Sequence, residues 1–239
     1  EATKLGFFSD EGFKNLRDQF VASIEDDELC LCEAYTPDLQ PSSRAAGGKS
    51  VYLFKLNHLM EVIEAAGSEE YVVYSDVDLQ FLDKVLPDIA DAMQNMDMCF
   101  QREFDDIGAN IGFMAIRRTS AVMNFWQEVH EIVSRTGGFD QRIVNDILHS
   151  QTEQELGFRW SRFPAKFWAS SQALAGPPPQ GVLLHHANWV PQGEFTLQSR
   201  GPAKLEQLAS LRRLVEAPNN KDGFRRLAHE LVDDGSLAI

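Results

Sequence analysis

Short apolar runs alternate with stretches of helically spaced apolar residues along most of this chain, an order that commits it to helices layered on a sheet. Lys4-Leu5-Gly6-Phe7-Phe8 reads as a first strand, and Ser9, followed by Asp10 and Glu11, as the cap and acidic first turn of a helix. Phe13, Leu16, Phe20 and Ile24 form that helix's sheet-facing stripe. Leu29-Cys30-Leu31-Cys32 gives a second strand. From Val51, the spacing of Leu56, Leu59, Met60 and Ile63 gives a second helix ending near Gly67, a residue suited to a left-handed C-cap. Tyr71-Val72-Val73-Tyr74 is a third strand, and Val85, Leu86, Ile89 and Met93 mark a helix. Strands at 98–100 and 112–116 flank the acidic loop Glu103-Phe104-Asp105-Asp106. A long helix carries Val122 to Ile132, Gly137-Gly138 breaks it, and a shorter one starts near Asp140. Pro177-Pro178-Pro179 introduces a late strand, Val182-Leu183-Leu184, which runs into His185 and His186. Two amphipathic helices follow, Leu205 to Val215 and Phe224 to Val232. The expectation is an α/β fold, a Rossmann-type mixed sheet flanked by helices, spanning 1–200, with a C-terminal helical appendage, 201–239, packed on it.

The formal net charge of −14 repels nucleic-acid phosphate, and no basic cluster offsets it, since Arg212-Arg213 and Arg225-Arg226 are too sparse. No nucleic-acid partner is expected. No apolar run reaches the ~18–20 residues of a membrane span. Cys30, Cys32 and Cys99 are too few for a disulfide framework and read as buried thiols. The start, Glu1-Ala2-Thr3-Lys4, carries neither an initiating Met nor a signal-peptide pattern and reads as trimmed or processed; a soluble chain, cytoplasmic rather than secreted, is expected.

The third strand ends in Ser75-Asp76-Val77-Asp78. Strand side chains alternate faces, so Asp76 and Asp78 point the same way while Val77 packs inward. Two hard oxygen donors on one side suit Mn²⁺ or Mg²⁺, which in turn hold a pyrophosphate. The plain alternative is that Asp ends strands because it favours turns.

Four further segments recur around it: Lys55 on the preceding helix; Asn110-Ile111-Gly112-Phe113-Met114; Asp140-Gln141 followed by Asn145; and His185-His186-Ala187-Asn188. In order and spacing the chain resembles the nucleotide-diphospho-sugar transferase family, metal-dependent glycosyltransferases with a GT-A fold. The resemblance implies a GT-A-like sheet, a nucleotide-sugar donor (UDP- before GDP-), a glycan or other hydroxyl acceptor, and Mn²⁺ or Mg²⁺ as cofactor. It also implies that Asp78 binds metal directly, that Asp76 contacts ribose or the metal through water, and that His186, with Asn188, completes the shell. Adjacent strand residues face opposite sides, so only one of the histidines is a ligand, and His185 is the structural one. A lysine often found after the family's His-x-Asn element has no counterpart, since Glu194-Phe195-Thr196 stands there.

Other roles remain two-sided. Lys55 is either a diphosphate contact or one exposed residue of a solvated helix face. Asn110 lines the donor and acceptor pocket in the family, or satisfies a turn backbone. Asp140, beside Gln141, is a sugar-hydroxyl contact or a helix N-cap. An inverting enzyme needs a carboxylate base, for which Asp140, Asp105 and Asp106 are candidates; a retaining one, which the resemblance favours, does not. Ligands of open α/β sheets gather outside the strands' carboxyl ends, which places the nucleotide near Phe7, Phe8 and Ser9. The segment 36–48, rich in Pro, Ser, Ala and Gly, is expected to fold over bound donor. Two other readings compete. A D-x-D phosphatase or phosphotransferase places that strand first and needs Ser or Thr two residues on, where Leu79-Gln80 stand. A non-catalytic nucleotide- or carbohydrate-binding module has no need of three metal donors.

Overall fold

The computed structural model describes residues 2–36, 49–67, 70–103, 108–174, 176–189, 197–217 and 221–233. Its main sheet comprises β1 (Thr3–Ser9), β2 (Leu29–Tyr35), β3 (Tyr71–Ser75), β5 (Met98–Arg102), β6 (Ala109–Arg117) and β7 (Trp160–Arg162), ordered β2-β1-β3-β6-β5-β7. β1 runs parallel to β2 and β3, and β5 to β7, while β6 is antiparallel to both its neighbours. The mixed sheet expected from the sequence is therefore present. A second sheet, not expected, is made of β4 (Leu79–Phe81), β8 (Phe167–Ala169) and β9 (Leu184–His186), ordered β4-β9-β8.

Strand alternation sorts the side chains between two cores. Val72 and Tyr74 of β3, Met98 and Phe100 of β5, and Met114 and Ile116 of β6 face one layer. That layer holds α2 (Lys49–Glu64), α4 (Ser120–Thr136) and α5 (Asp140–Ser150), through Leu56, Leu59, Ile63, Val122, Trp126 and Val144. Val73, Cys99, Phe113 and Ala115 face the opposite core. There they meet α1 (Lys14–Ala22), α3 (Leu86–Met93) and one face of the small sheet, through Phe20, Ile89, Phe81 and Phe167. The other face of the small sheet presents Trp168, which is buried with Leu211 of α7 (Leu197–Glu216) and Leu227 of α8 (Lys221–Asp233). A short α6 (Glu153–Leu156) completes the α-helices among the described residues, beside two 3₁₀ helices, Glu11–Phe13 and Ser170–Leu174.

Several local expectations are corrected. Ser9 is no cap; it ends β1 paired with Tyr35, and its hydroxyl donates to the Glu33 carboxylate. Gly67 lies beyond the end of α2 without the left-handed conformation. That role belongs to Gly137, φ 68°, which ends α4. The late strand sits two residues further on than expected, so His185 and His186 lie within it, because their ladder partners are Gln80 and Leu79. α7 begins at Leu197, earlier than the start expected at Leu205, and carries Pro202 in its interior. The three thiols are not all buried: Cys99 is, and burial pushes it up to about 12, whereas Cys30 is exposed because β2 is the edge of the sheet. Among the described residues no helix is long and apolar enough to cross a membrane.

Candidate active site

β3 leaves the main sheet after Ser75, and Asp76, Val77 and Asp78 form the link that carries the chain into β4 of the small sheet. The two carboxylates therefore converge through a turn and not through strand alternation, although Val77 packs into the core as expected. Each end of the link is pinned by backbone. The Asp76 N–H donates to the Gly112 carbonyl at 2.8 Å, and the Ala187 N–H donates to the Asp78 carbonyl at 2.9 Å.

His186 reaches the link from β9, and one ligand atom from each of Asp76, Asp78 and His186 lies within 4.8 Å of the others. The imidazole is oriented by a residue that sequence reading missed. The Gln101 amide donates from Nε2 to the Phe167 carbonyl at 3.2 Å, which turns its Oε1 toward His186 Nδ1 at 2.7 Å. The proton therefore sits on Nδ1, and the Nε2 lone pair faces Asp78 Oδ1 at 3.3 Å. Two acceptors facing each other across a gap, beside a second carboxylate, are a donor set that a divalent cation satisfies, with a buried partner fixing the histidine tautomer. His185 points to the opposite face and stacks on Trp168, ring centroids 5.0 Å apart.

The space for the imidazole comes from a break in the β5–β6 ladder. Phe100 pairs with Met114 but Gln101 pairs with Asn110, so Ile111, Gly112 and Phe113 bulge out of register with β5 while Phe113 stays paired with Ser75 of β3. A Cβ on Gly112 would stand 2.1 Å from His186 Cε1, so only glycine fits. The Asn110 side chain closes the bulge by accepting the Gly112 N–H at 2.7 Å.

Each carboxylate of the link meets a lysine. Lys55 is 6% exposed and lies 2.7 Å from Asp76 Oδ1, which rules out the solvated-face reading. Burying an ammonium costs several kcal/mol unless it is paired. Lys204 of α7 contacts Asp78 Oδ2, an approach that nothing in the sequence announced. Burial alone would raise the Asp78 carboxyl, but the Lys204 ammonium holds it well below the usual carboxylate range.

Beside this centre lies a polar wall. Glu103 Oε2 accepts from Asn110 Nδ2 at 2.8 Å and from Gln141 Nε2 at 2.7 Å, and Gln141 Oε1 accepts the Ile111 N–H at 3.3 Å. Asn145 both accepts from and donates to the backbone of Ala109, which ties α5 to the start of β6. Asp140 is not the N-cap of α5, which is Phe139. It is the first helical residue, buried, accepting its neighbour Gln141's N–H at 2.9 Å. Burial pushes its carboxyl above the usual range, against the pull of Lys55 and with the help of the Asp76 charge. Asn188 Oδ1 accepts from the Ser170 hydroxyl and the Ser171 N–H, and its Nδ2 donates to the Ser171 hydroxyl. Register pairs Phe7 with Ser75, so the end of β1 adjoins Asp76. The Phe7 ring, however, is buried against Phe20, which leaves Phe8 and Ser9 nearest the strand end. Residues 37–48, Asp105, Asp106 and 194–196 lie outside the described residues.

The sequence profile of the nucleotide-diphospho-sugar transferases matches residues 45–194, more than half of the chain. The chain belongs to that family. Solved structures agree on the fold. The apo glycosyltransferase GlyE of Streptococcus pneumoniae TIGR4 superposes with a TM-score of 0.56 at 13% identity, over 89% of this chain and 62% of that one. A glycosyltransferase involved in glycosylation of the major capsid of PBCV-1 gives 0.54 at 10% identity, over 86% of this chain and 100% of that one. The galactosyltransferase LgtC, in complex with donor and acceptor sugar analogs, gives 0.53 at 14% identity, over 92% and 99%. This family member therefore has the GT-A fold, and it spans about three fifths of the pneumococcal protein's length. Curated protein sequences give no significant match.

Proposed function

We propose that the chain transfers a glycosyl group from a nucleoside-diphosphate sugar to a hydroxyl of a glycan or other acceptor, using Mn²⁺ or Mg²⁺ held by Asp76, Asp78 and His186. The observation that carries this reading is the His186 Nε2 lone pair turned toward Asp78 Oδ1 by Gln101, next to Asp76. Bound there, the ion would neutralise the leaving diphosphate as the anomeric bond breaks. The residues around it serve the same end. Lys55 adds positive charge on the donor side. Phe8 and Ser9 receive the nucleotide, uridine before guanosine, at the end of β1, and Asn188, which holds the start of the 3₁₀ helix Ser170–Leu174, flanks the donor. Asn110, Gln141 and Asp140 offer hydroxyl-matching groups on the sugar side. Retention is the preferred stereochemistry, with the leaving phosphate taking the acceptor proton; Asp140 is the base if the outcome is inversion.

Release of nucleoside diphosphate from a panel of nucleotide sugars, UDP-sugars first, tests the proposal. Activity is expected to require Mn²⁺ or Mg²⁺, to vanish with a chelator, and to fall on the order of 10²-fold or more in Asp78→Ala with the fold retained. Turnover that survives both the chelator and the substitution would sink the metal role.

A further inference from the structure

The charges around the link balance before any ligand arrives. Asp76 faces Lys55 and Asp78 faces Lys204. A site meant to hold a free divalent ion tightly would keep its carboxylates unneutralised. Here an ion meeting Asp78 encounters an ammonium already on the same carboxylate.

The two lysines are not equivalent. Lys55 rises from α2, among Leu56 and Leu59 of the main core, and the Tyr74 hydroxyl donates to its carbonyl at 3.2 Å, so it is built in. Lys204 lies two turns into α7, ahead of the buried anchors Leu208 and Leu211, and reaches Asp78 with the four-carbon lysine stem.

Resting on the metal-binding reading of this site, we propose that Lys204 is a built-in competitor of the divalent cation at Asp78, so that α7 keeps the affinity for the free ion low. A double positive charge within roughly 5 Å of an ammonium is repelled strongly enough, even at the effective dielectric of a protein surface, to weaken binding at least about tenfold. Anionic donor relieves that repulsion by giving the ammonium another partner.

Titration with Mn²⁺ alone, followed by the electron paramagnetic resonance signal of the free ion, tests this on the full chain. Lys204→Met should bind Mn²⁺ at least about tenfold more tightly than wild type, and Lys204→Arg, which keeps the charge, should stay near wild type. Mn²⁺ should also raise the melting temperature of Lys204→Met more than that of wild type. Lys204→Gln serves the same purpose if the Met variant does not fold. Equal or weaker binding in the neutral variants would overturn the proposal and make Lys204 a residue that orients Asp78. Folded wild type and variants that all fail to bind Mn²⁺ would instead overturn the metal site itself. Loss of binding in Asp78→Ala locates the signal.

Discussion

Asp140 shows how one buried carboxyl separates two roles. It is 3% exposed, and burial raises its ionisation above the ordinary carboxylate range. The folded chain thus holds this proton over a window in which the unfolded chain has lost it. The associated stability is complete below the unfolded value, about 3.9, and is lost as pH rises through the folded one. As pH rises toward neutral the wild type loses stability that Asn, with no proton to lose, keeps, and Asn can still accept the Gln141 N–H. Asp140→Asn should therefore melt at or above the wild-type temperature at pH 7, with the difference closing as pH falls toward about 4. If Asp140 also touches sugar, turnover in the same variant should fall far more than donor affinity. Near-normal turnover would confine it to structure.

At the level of elements, the β6 bulge makes the cavity in which the imidazole sits, and Gly112 is the residue it cannot lose. Gly112→Ala would place a methyl 2.1 Å from His186 Cε1 and 2.9 Å from Asn110 Oδ1. Since the ring is buried and tied to Gln101, it has little room to yield. A stability loss of about 1–3 kcal/mol in denaturant titration, together with at least tenfold weaker Mn²⁺ binding, is expected. Gly6→Ala, whose Cβ would meet Tyr74 and Val62 at 2.9 Å, is the control that should cost stability alone. The main strands and helices were legible because their apolar runs are long enough to show a period. β4, β7 and β8 are three residues each, too short for one, and exist because distant partners supply their ladders. Asp76, Asp78 and His186 could be picked out as donors by type and order. Gln101 and Lys204 could not, because a bulge aims one and helix docking delivers the other, and neither event leaves a local trace in sequence.

For the molecule as a whole, acid sensitivity has a named source. Burial lowers His185 to about 3. The unfolded chain therefore binds a proton that the folded chain refuses between about 6.5 and about 3, and stability falls as pH drops through that window by up to about 1.4 kcal/mol per pH unit. His185→Phe, which preserves a ring against Trp168, should flatten that limb when unfolding free energy is measured from pH 7 down to pH 4. An unchanged limb would assign it to other groups. The link between the two sheets has a temporal consequence as well. Apart from the Ser75 hydroxyl on the Asp76 carbonyl, its partners come from positions 55, 112, 186, 187 and 204, all distant in sequence, and such contacts form late because a long stretch of chain must first be closed. During synthesis every strand of both sheets can emerge and pair before α7 does. The growing chain would thus pass through a stage with Asp78 uncompensated by Lys204, and under the proposed competition its grip on a divalent ion would then exceed that of the finished protein.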